Sequence, residues 1–322
     1  MNEAIINSIT QQMAIFLDGF QLKQLKNVLR NHSDTNDNEL QVSNNKLVEL
    51  FLTAKEVEGC SQKTIAYYES TIEKLNNALE KPYTQITTDD LRKYLSDYEH
   101  TNGSSKVTID NIRRIFSTFF SWLEDEDYIV KSPARRIHHV KAPQLVKEVL
   151  SDEDLETLRD GCEHTRDLAI IDILASTGMR IGELVRLDRA DLNLQERECV
   201  VLGKGNKQRP VYFDARTKLH LTNYLKTRSD NHPALFIGLK GKPKRLTIGG
   251  VESRLRNLGR QLLLQRVHPH KFRRTLATNA IDKGMPIEQV QKLLGHARID
   301  TTMHYALVNQ NNVKASHRRY LE

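Results

Sequence analysis

The stretch Thr177-Gly178-Met179-Arg180-Ile181-Gly182-Glu183-Leu184 directly follows a run, Asp167 to Ser176, that is crowded by Leu168, Ile170, Ile171, Ile173 and Leu174. A helix so apolar must be buried. Gly178 is suited to end it, and the residues after it start another helix. Arg180 and Glu183 are three apart and share a face, so the carboxylate can orient the guanidinium. A guanidinium fixed at such a junction can offer two nitrogens to one phosphate. Downstream, Cys199-Val200-Val201-Leu202 and Pro210-Val211-Tyr212-Phe213 are short β-type runs. Gly203-Lys204-Gly205-Asn206-Lys207-Gln208-Arg209 joins them as a hairpin-like turn. Beyond it the pattern is helical over about 247–264, 271–283, 286–294 and 300–307, with Pro286 at one helix start and Gly295 at its end. Upstream, Ser151-Asp152-Glu153-Asp154 opens a helix with a near capping box.

The first half reads as helical throughout. Over residues 1–40, Ile5, Ile9, Met13, Phe16, Leu17 and Phe20 are spaced for one apolar face, and Asn31 to Glu39 reads as a loop. Ser61 caps a helix carrying Ile65, Tyr68, Ile72, Leu75 and Leu79. Thr87-Thr88-Asp89-Asp90 opens the next, and Ile109, Ile112, Phe116, Phe119 and Leu123 stripe another. Phe119, Phe120 and Trp122 fall at helical spacing and read as core. Pro133 and Pro143 flank Arg135, Arg136, His138, His139 and Lys141, which reads as a basic linker. The expected organisation is therefore an N-terminal extension (1–40), a bundle of four or five short helices (41–130), a linker (131–149) and an α+β domain with a C-terminal tail (150–322). The fold class is mainly α with a small sheet or hairpin.

Charge narrows the partner. The chain carries a formal +7, but residues 1–140 hold 16 Lys and Arg against 20 Asp and Glu. Residues 200–274 hold 18 against 3. A solvated surface mixes signs, so this window points to a polyanion, whether DNA, RNA, heparin or an acidic protein. No apolar run reaches the roughly 18 residues of a membrane span, and no secretory signal is evident at residue 1. Cys60, Cys162 and Cys199 lack metal-ligand spacing and disulfide pattern, which fits a reducing compartment. A protein of a reducing compartment, without a metal site built on these cysteines, is expected.

Further residues complete a constellation with Arg180. His270 and Arg273 are i, i+3 on one helix face, so both can reach one phosphate. His296 follows Gly295 at a helix end, Lys204 sits between two glycines at the turn tip, and Tyr305 lies in a helix opened by Asp300. Cleaving a phosphodiester with a side-chain nucleophile needs fixed donors for the non-bridging oxygens, an in-line attacker and a proton for the leaving oxygen. These six residues could meet all three needs. Tyr320 lacks such a frame.

In order and spacing, Thr177 to Leu184, Gly203 to Arg209, His270-x-x-Arg273 and Leu293-Leu294-Gly295-His296 … Tyr305 resemble the tyrosine recombinase (phage integrase) family. The resemblance spans about residues 45–310. Arg274 departs from it by standing where a second His is frequent, and His304 by preceding the tyrosine. The resemblance implies a helical SAM-like core-binding domain and an α+β catalytic domain closing on double-stranded DNA. It implies a site-specific recombinase in which Tyr305 forms a 3′-phosphotyrosyl bond. Arg180, Arg273 and His270 would clamp the phosphate, His296 would assist, Lys204 would protonate the leaving oxygen and Glu183 would support. No metal, ATP or cofactor would take part, and the protein would be bacterial, cytoplasmic and nucleoid-associated. Lys63, Lys106, Arg113, Arg114, Lys141, Lys207, Arg209, Lys242, Lys244, Arg245 and Arg274 are candidate DNA contacts. Four protomers would act on two duplexes, exchanging the tails after Tyr305, with DNA-bending or directionality proteins as possible accessories. The 1–40 extension favours mobile-element integration or excision over Xer-type chromosome dimer resolution. A type IB topoisomerase and a non-catalytic DNA-binding protein stay open as alternatives.

Overall fold

The computed structural model describes residues 3–34, 42–143, 148–203, 208–296 and 298–303. Cα packing divides the chain into two units, 1–144 and 145–322. Among the described residues, no helix is long and apolar enough to cross a membrane.

The first unit begins with α1 (Glu3–Met13) and α2 (Gly19–Asp34), which pack on each other. The single apolar face expected over residues 1–40 is broken. The helix stops at Met13 and the chain turns before Gly19, so Phe16 leaves the stripe. Ile6 is buried, whereas Ile5, Phe16 and Phe20 are exposed. Four helices follow: α3 (Asn44–Val57), α4 (Gln62–Leu79), α5 (Thr88–Asn102) and α6 (Lys106–Asp125). Their starts obey local rules. Ser61 accepts from Thr64 N, and Thr87 and Asp90 form a capping box. Phe51, Phe116, Phe119 and Phe120 are fully buried between them, so the aromatics of α6 are core. Phe119 meets Phe51 and Tyr83 edge-on at centroid distances of 5.1 and 5.0 Å.

The first ten residues of the expected linker pack on the bundle. Pro133–Arg136 form a short 3₁₀ helix with Ala134 buried, and Ile137 and Val140 pack on the bundle core. Asp110, buried on α6, fixes this segment. It accepts from Val140 N at 3.0 Å and pairs with Arg113, Arg114 and His139 at 2.8, 2.9 and 3.6 Å. The apolar side chains of 137 and 140 and one buried carboxylate outweigh the polar, proline-flanked local pattern.

The second unit is built around α8 (Thr165–Thr177), with α7 (Asp152–Asp160) before it. Ser151 and Asp154 make the capping box of α7. α8 packs against two helices, α10 (Ala215–Lys226) and α12 (Pro269–Asp282). Its burial extends to Asp167 and Asp172, whereas Leu168 is only half-buried. Each buried acid is paired: Asp167 with Arg166 and Arg254 (both 2.6 Å), and Asp172 with Arg159 (2.7 Å) and His220. The hairpin is widened to three antiparallel strands, β1 (Leu192–Asn193), β2 (Glu198–Leu202) and β3 (Gln208–Tyr212), in order β1-β2-β3. Val201 pairs with Arg209 and Leu202 with Gln208. α9 (Ile181–Leu184) follows α8, and α11 (Ile248–Gln261), α13 (Ile287–Leu294) and α14 (Asp300–Met303) complete the unit. The sequence reading passed over α10. Its start is capped by Asp214, but only Thr217, Leu221 and Tyr224 are buried on it, too sparse a stripe to stand out.

Candidate active site

The site is organised by the C-terminal end of α13. Carbonyls at the end of a helix lack intrahelical partners and carry the negative end of its dipole. Three arginines from distant parts of the second unit donate to three successive carbonyls there. Arg209 Nε donates to Leu293 O (3.3 Å), Arg273 Nη2 to Leu294 O (2.6 Å) and Arg180 Nη2 to Gly295 O (3.0 Å). Gly295 is the left-handed cap of α13 (φ +66°), and the chain leaves it directly into His296.

Each arginine is held a second time. Gly178 closes α8 in the left-handed conformation, and its carbonyl accepts from Arg273 Nη1 at 2.8 Å. Arg273 thus lies between the C-terminal ends of α8 and α13 and is 3% exposed. Arg180 is the N-cap of α9, not a residue inside it. Its backbone N–H and Nη1 both donate to Glu183, at 2.8 and 2.9 Å, while its side chain keeps 35% exposure. Glu183 is 4% exposed. Its carboxyl is held below the usual range by hydrogen bonds and charge from Arg209 and Arg180, which outweigh the larger opposing effect of burial.

The histidines complete the group. His296 Nδ1 lies 2.9 Å from the hydroxyl of Thr302, a fully buried residue on α14. Burial first, then the cations of Arg273, Arg180 and Arg209, push its imidazole down to about 4. His270, on the first turn of α12, is lowered by desolvation and by Arg273 and Arg180, against an opposing pull from Glu252. The same two arginines disfavour a proton on both rings.

Of the six residues singled out, Arg180, His270, Arg273 and His296 come together here, with Glu183 behind Arg180. Lys204 and Tyr305 lie outside the described residues, as do Lys207 and His304. The candidate DNA contacts divide. Lys63, Lys141, Lys242 and Lys244 are exposed. The last two flank Pro243 on a turn closed by Gly238 N to Lys244 O (3.0 Å) and Leu246 N to Phe236 O (2.9 Å). Lys106 pairs with Glu99 at 2.8 Å, Arg114 pairs with Asp110 yet is exposed, and Arg274 is half-buried. Three others donate to internal acceptors, although Arg245 keeps 35% side-chain exposure. Arg113 is 15% exposed on Asp110. Arg245 donates to Val185 O, Leu187 O and Asp188. Arg209 is 13% exposed on Glu183. Thr302 escaped the sequence reading because a threonine in a short polar helix carries no local sign of a buried partner.

Known families match residues in both units of the chain. The phage integrase family profile matches residues 148–312, and the phage integrase N-terminal SAM-like domain matches 47–129. The tyrosine recombinase XerC of Staphylococcus aureus (strain JH9) is 30% identical over 284 residues, which cover 84% of this chain and 94% of that protein. The XerH site-specific recombinase bound to palindromic difH substrate superposes with a TM-score of 0.68 at 22% identity, covering 97% of this chain and 94% of that one. A lambda integrase dimer bound to a COC′ core site superposes at 0.69 and 16% identity, covering 88% and 85%. With two family domains matched in order, and a relative this similar along most of its length, the chain belongs to the phage integrase family of tyrosine recombinases.

Proposed function

We propose that Tyr305 is the nucleophile of a strand-exchange reaction carried out around the end of α13. As a member of its family the enzyme binds DNA and cleaves and rejoins its strands in site-specific recombination, without metal or ATP. In the proposed step the phenol oxygen bonds to phosphorus, and the bond from phosphorus to the 5′ oxygen breaks. The phenol gives its proton to a histidine of the site and the 5′ oxygen gains one from Lys204; both transfers reverse when the second duplex attacks. The 5′-hydroxyl of a second duplex then displaces the tyrosine. One phosphoester replaces another, so no external energy is required.

The observation that carries this reading is the convergence of Arg180 and Arg273 on one helix end, beside two histidines whose protonation these arginines disfavour. Guanidinium groups already anchored by carbonyls and a carboxylate need no reorganisation when charge develops on the non-bridging oxygens. Arg180, with its partly exposed fork, and Arg273 would neutralise them. His270 would add a third donor, and a neutral His296 whose Nδ1 is engaged by Thr302 would present its other nitrogen to the phosphate or the phenol. The exposed Lys63, Lys141, Lys242 and Lys244 would bind backbone phosphates and position the duplex. Four protomers on two duplexes, joined through the tails after Tyr305, would complete the synapse, with accessory DNA-bending proteins as an optional addition. The α1–α2 pair favours a mobile-element role. The likeness to XerC over 94% of that protein favours an Xer-type role, and mapping the DNA ends joined to the enzyme in its host separates the two.

With nicked DNA that traps the covalent intermediate, the wild-type enzyme should yield an adduct through its 3′ phosphate and Tyr305→Phe none. An undiminished adduct in Tyr305→Phe overturns the assignment.

A further inference from the structure

Arg209 belongs to the basic turn that suggested DNA contact, yet every nitrogen of its guanidinium has an internal acceptor. Nη1 and Nη2 form a fork on the two oxygens of Glu183, at 2.7 and 2.9 Å, and Nε donates to Leu293 O at 3.3 Å. The same carboxylate serves Arg180 twice. The backbone at Gly295 is shaped around this side chain. A Cβ there would stand 2.8 Å from Arg209 Cδ, 2.9 Å from Nε and 3.2 Å from Cζ.

We propose that Arg209 is a positioning residue for strand cleavage. It satisfies Glu183 so that Arg180 keeps its charge for the scissile phosphate, and it fixes the 293–295 turn that orients Arg273, Arg180 and His296. A lone buried Glu183 facing Arg180 would form a closed ion pair and cancel the charge the phosphate requires. A second guanidinium on the same carboxylate leaves the group cationic. Arg209 also stands in β3, five residues after Lys204 in sequence, and ties that strand to Glu183 and the end of α13. This inference rests on the proposed roles of Arg180 and His296.

The test separates binding from chemistry in the full-length enzyme on nicked target DNA. Arg209→Met should bind DNA with unchanged affinity and salt dependence while single-turnover cleavage of bound DNA falls by about 10- to 100-fold, the range for lost supporting partners of a site. Arg209→Lys should recover part of that rate, because it returns the charge without the fork. Glu183→Gln should slow cleavage as well, and the double variant Arg209→Met/Glu183→Gln should be no slower than the slower single one, since both act through one contact. Thermal melting of each variant checks folding; if Arg209→Met does not fold, the Lys variant and Glu183→Gln carry the test. A salt slope reduced by about one charge with normal cleavage of bound DNA would make Arg209 a phosphate contact and overturn the proposal. Strictly additive losses would overturn the route through Glu183. Should Tyr305→Phe still form adduct, the nucleophile assignment fails while the coupling of Arg209 to Glu183 is still read from the cleavage rates.

Discussion

Gly295→Ala crowds Arg209 within the site. Two separable effects are expected. The first is backbone strain, because Gly295 is left-handed at φ +66°, which costs an L-residue about 1–2 kcal/mol. The second is steric: the new Cβ would lie 2.8 Å from Arg209 Cδ and 2.9 Å from Nε, so Arg209 must retreat by several tenths of an ångström. Its bonds to Glu183, at 2.7 and 2.9 Å, have little slack, and losing one charge-assisted bond costs about 1.5–3 kcal/mol. The total is about 2.5–5 kcal/mol. Gly103 supplies the control. It caps α5 in the same conformation (φ +56°), with nothing within 4 Å of an added Cβ, so Gly103→Ala should show the strain alone. The assay is denaturant unfolding of both variants, paired with single-turnover cleavage of nicked DNA at saturating enzyme. Gly295→Ala should lose about 2 kcal/mol more than Gly103→Ala and cleave at least tenfold more slowly. Equal destabilisation with unimpaired cleavage would refute the idea that Arg209 is clamped between Glu183 and this turn.

Two further outcomes follow from the same geometry. The imidazole of His296 titrates near 4 in the folded protein and near 6.5 when unfolded, so the unfolded chain takes up a proton first as pH falls. Its contribution is constant above pH 6.5, and stability is lost between about 6.5 and 4, by up to about 3 kcal/mol; His296→Gln should flatten that part of a pH–stability curve, and an identical curve would contradict the assignment. Thr302→Val keeps the buried shape but removes the hydroxyl 2.9 Å from His296 Nδ1, so cleavage of bound DNA should fall about tenfold with DNA affinity unchanged, and an unaltered rate would remove Thr302 from the site.

The sequence by itself determined what depends on residues three or four apart. The helix starts at Ser61, Thr87 and Ser151 are fixed by one side chain reaching a nearby N–H. The stops at Gly178 and Gly295 follow from left-handed backbone, and the shared face of His270 and Arg273 follows from helical pitch. Motif order and spacing were legible too, and they sufficed for the family. Local spacing does not say which way a charged side chain turns. Arg209 sits in the most basic window of the chain and reads as a phosphate contact, yet a carboxylate brought in by the fold takes its fork. Glu183 lies 26 residues from Arg209, Gly295 lies 115 from Arg180 and Gly178 lies 95 from Arg273. Residues 133–140 likewise read as linker until a buried Asp110 and an apolar core were in place to receive them. A helix or turn is decided by neighbours along the chain. The partner of a buried charge is decided by whichever opposite group tertiary packing leaves beside it, because a charge removed from water must be compensated wherever it comes to rest.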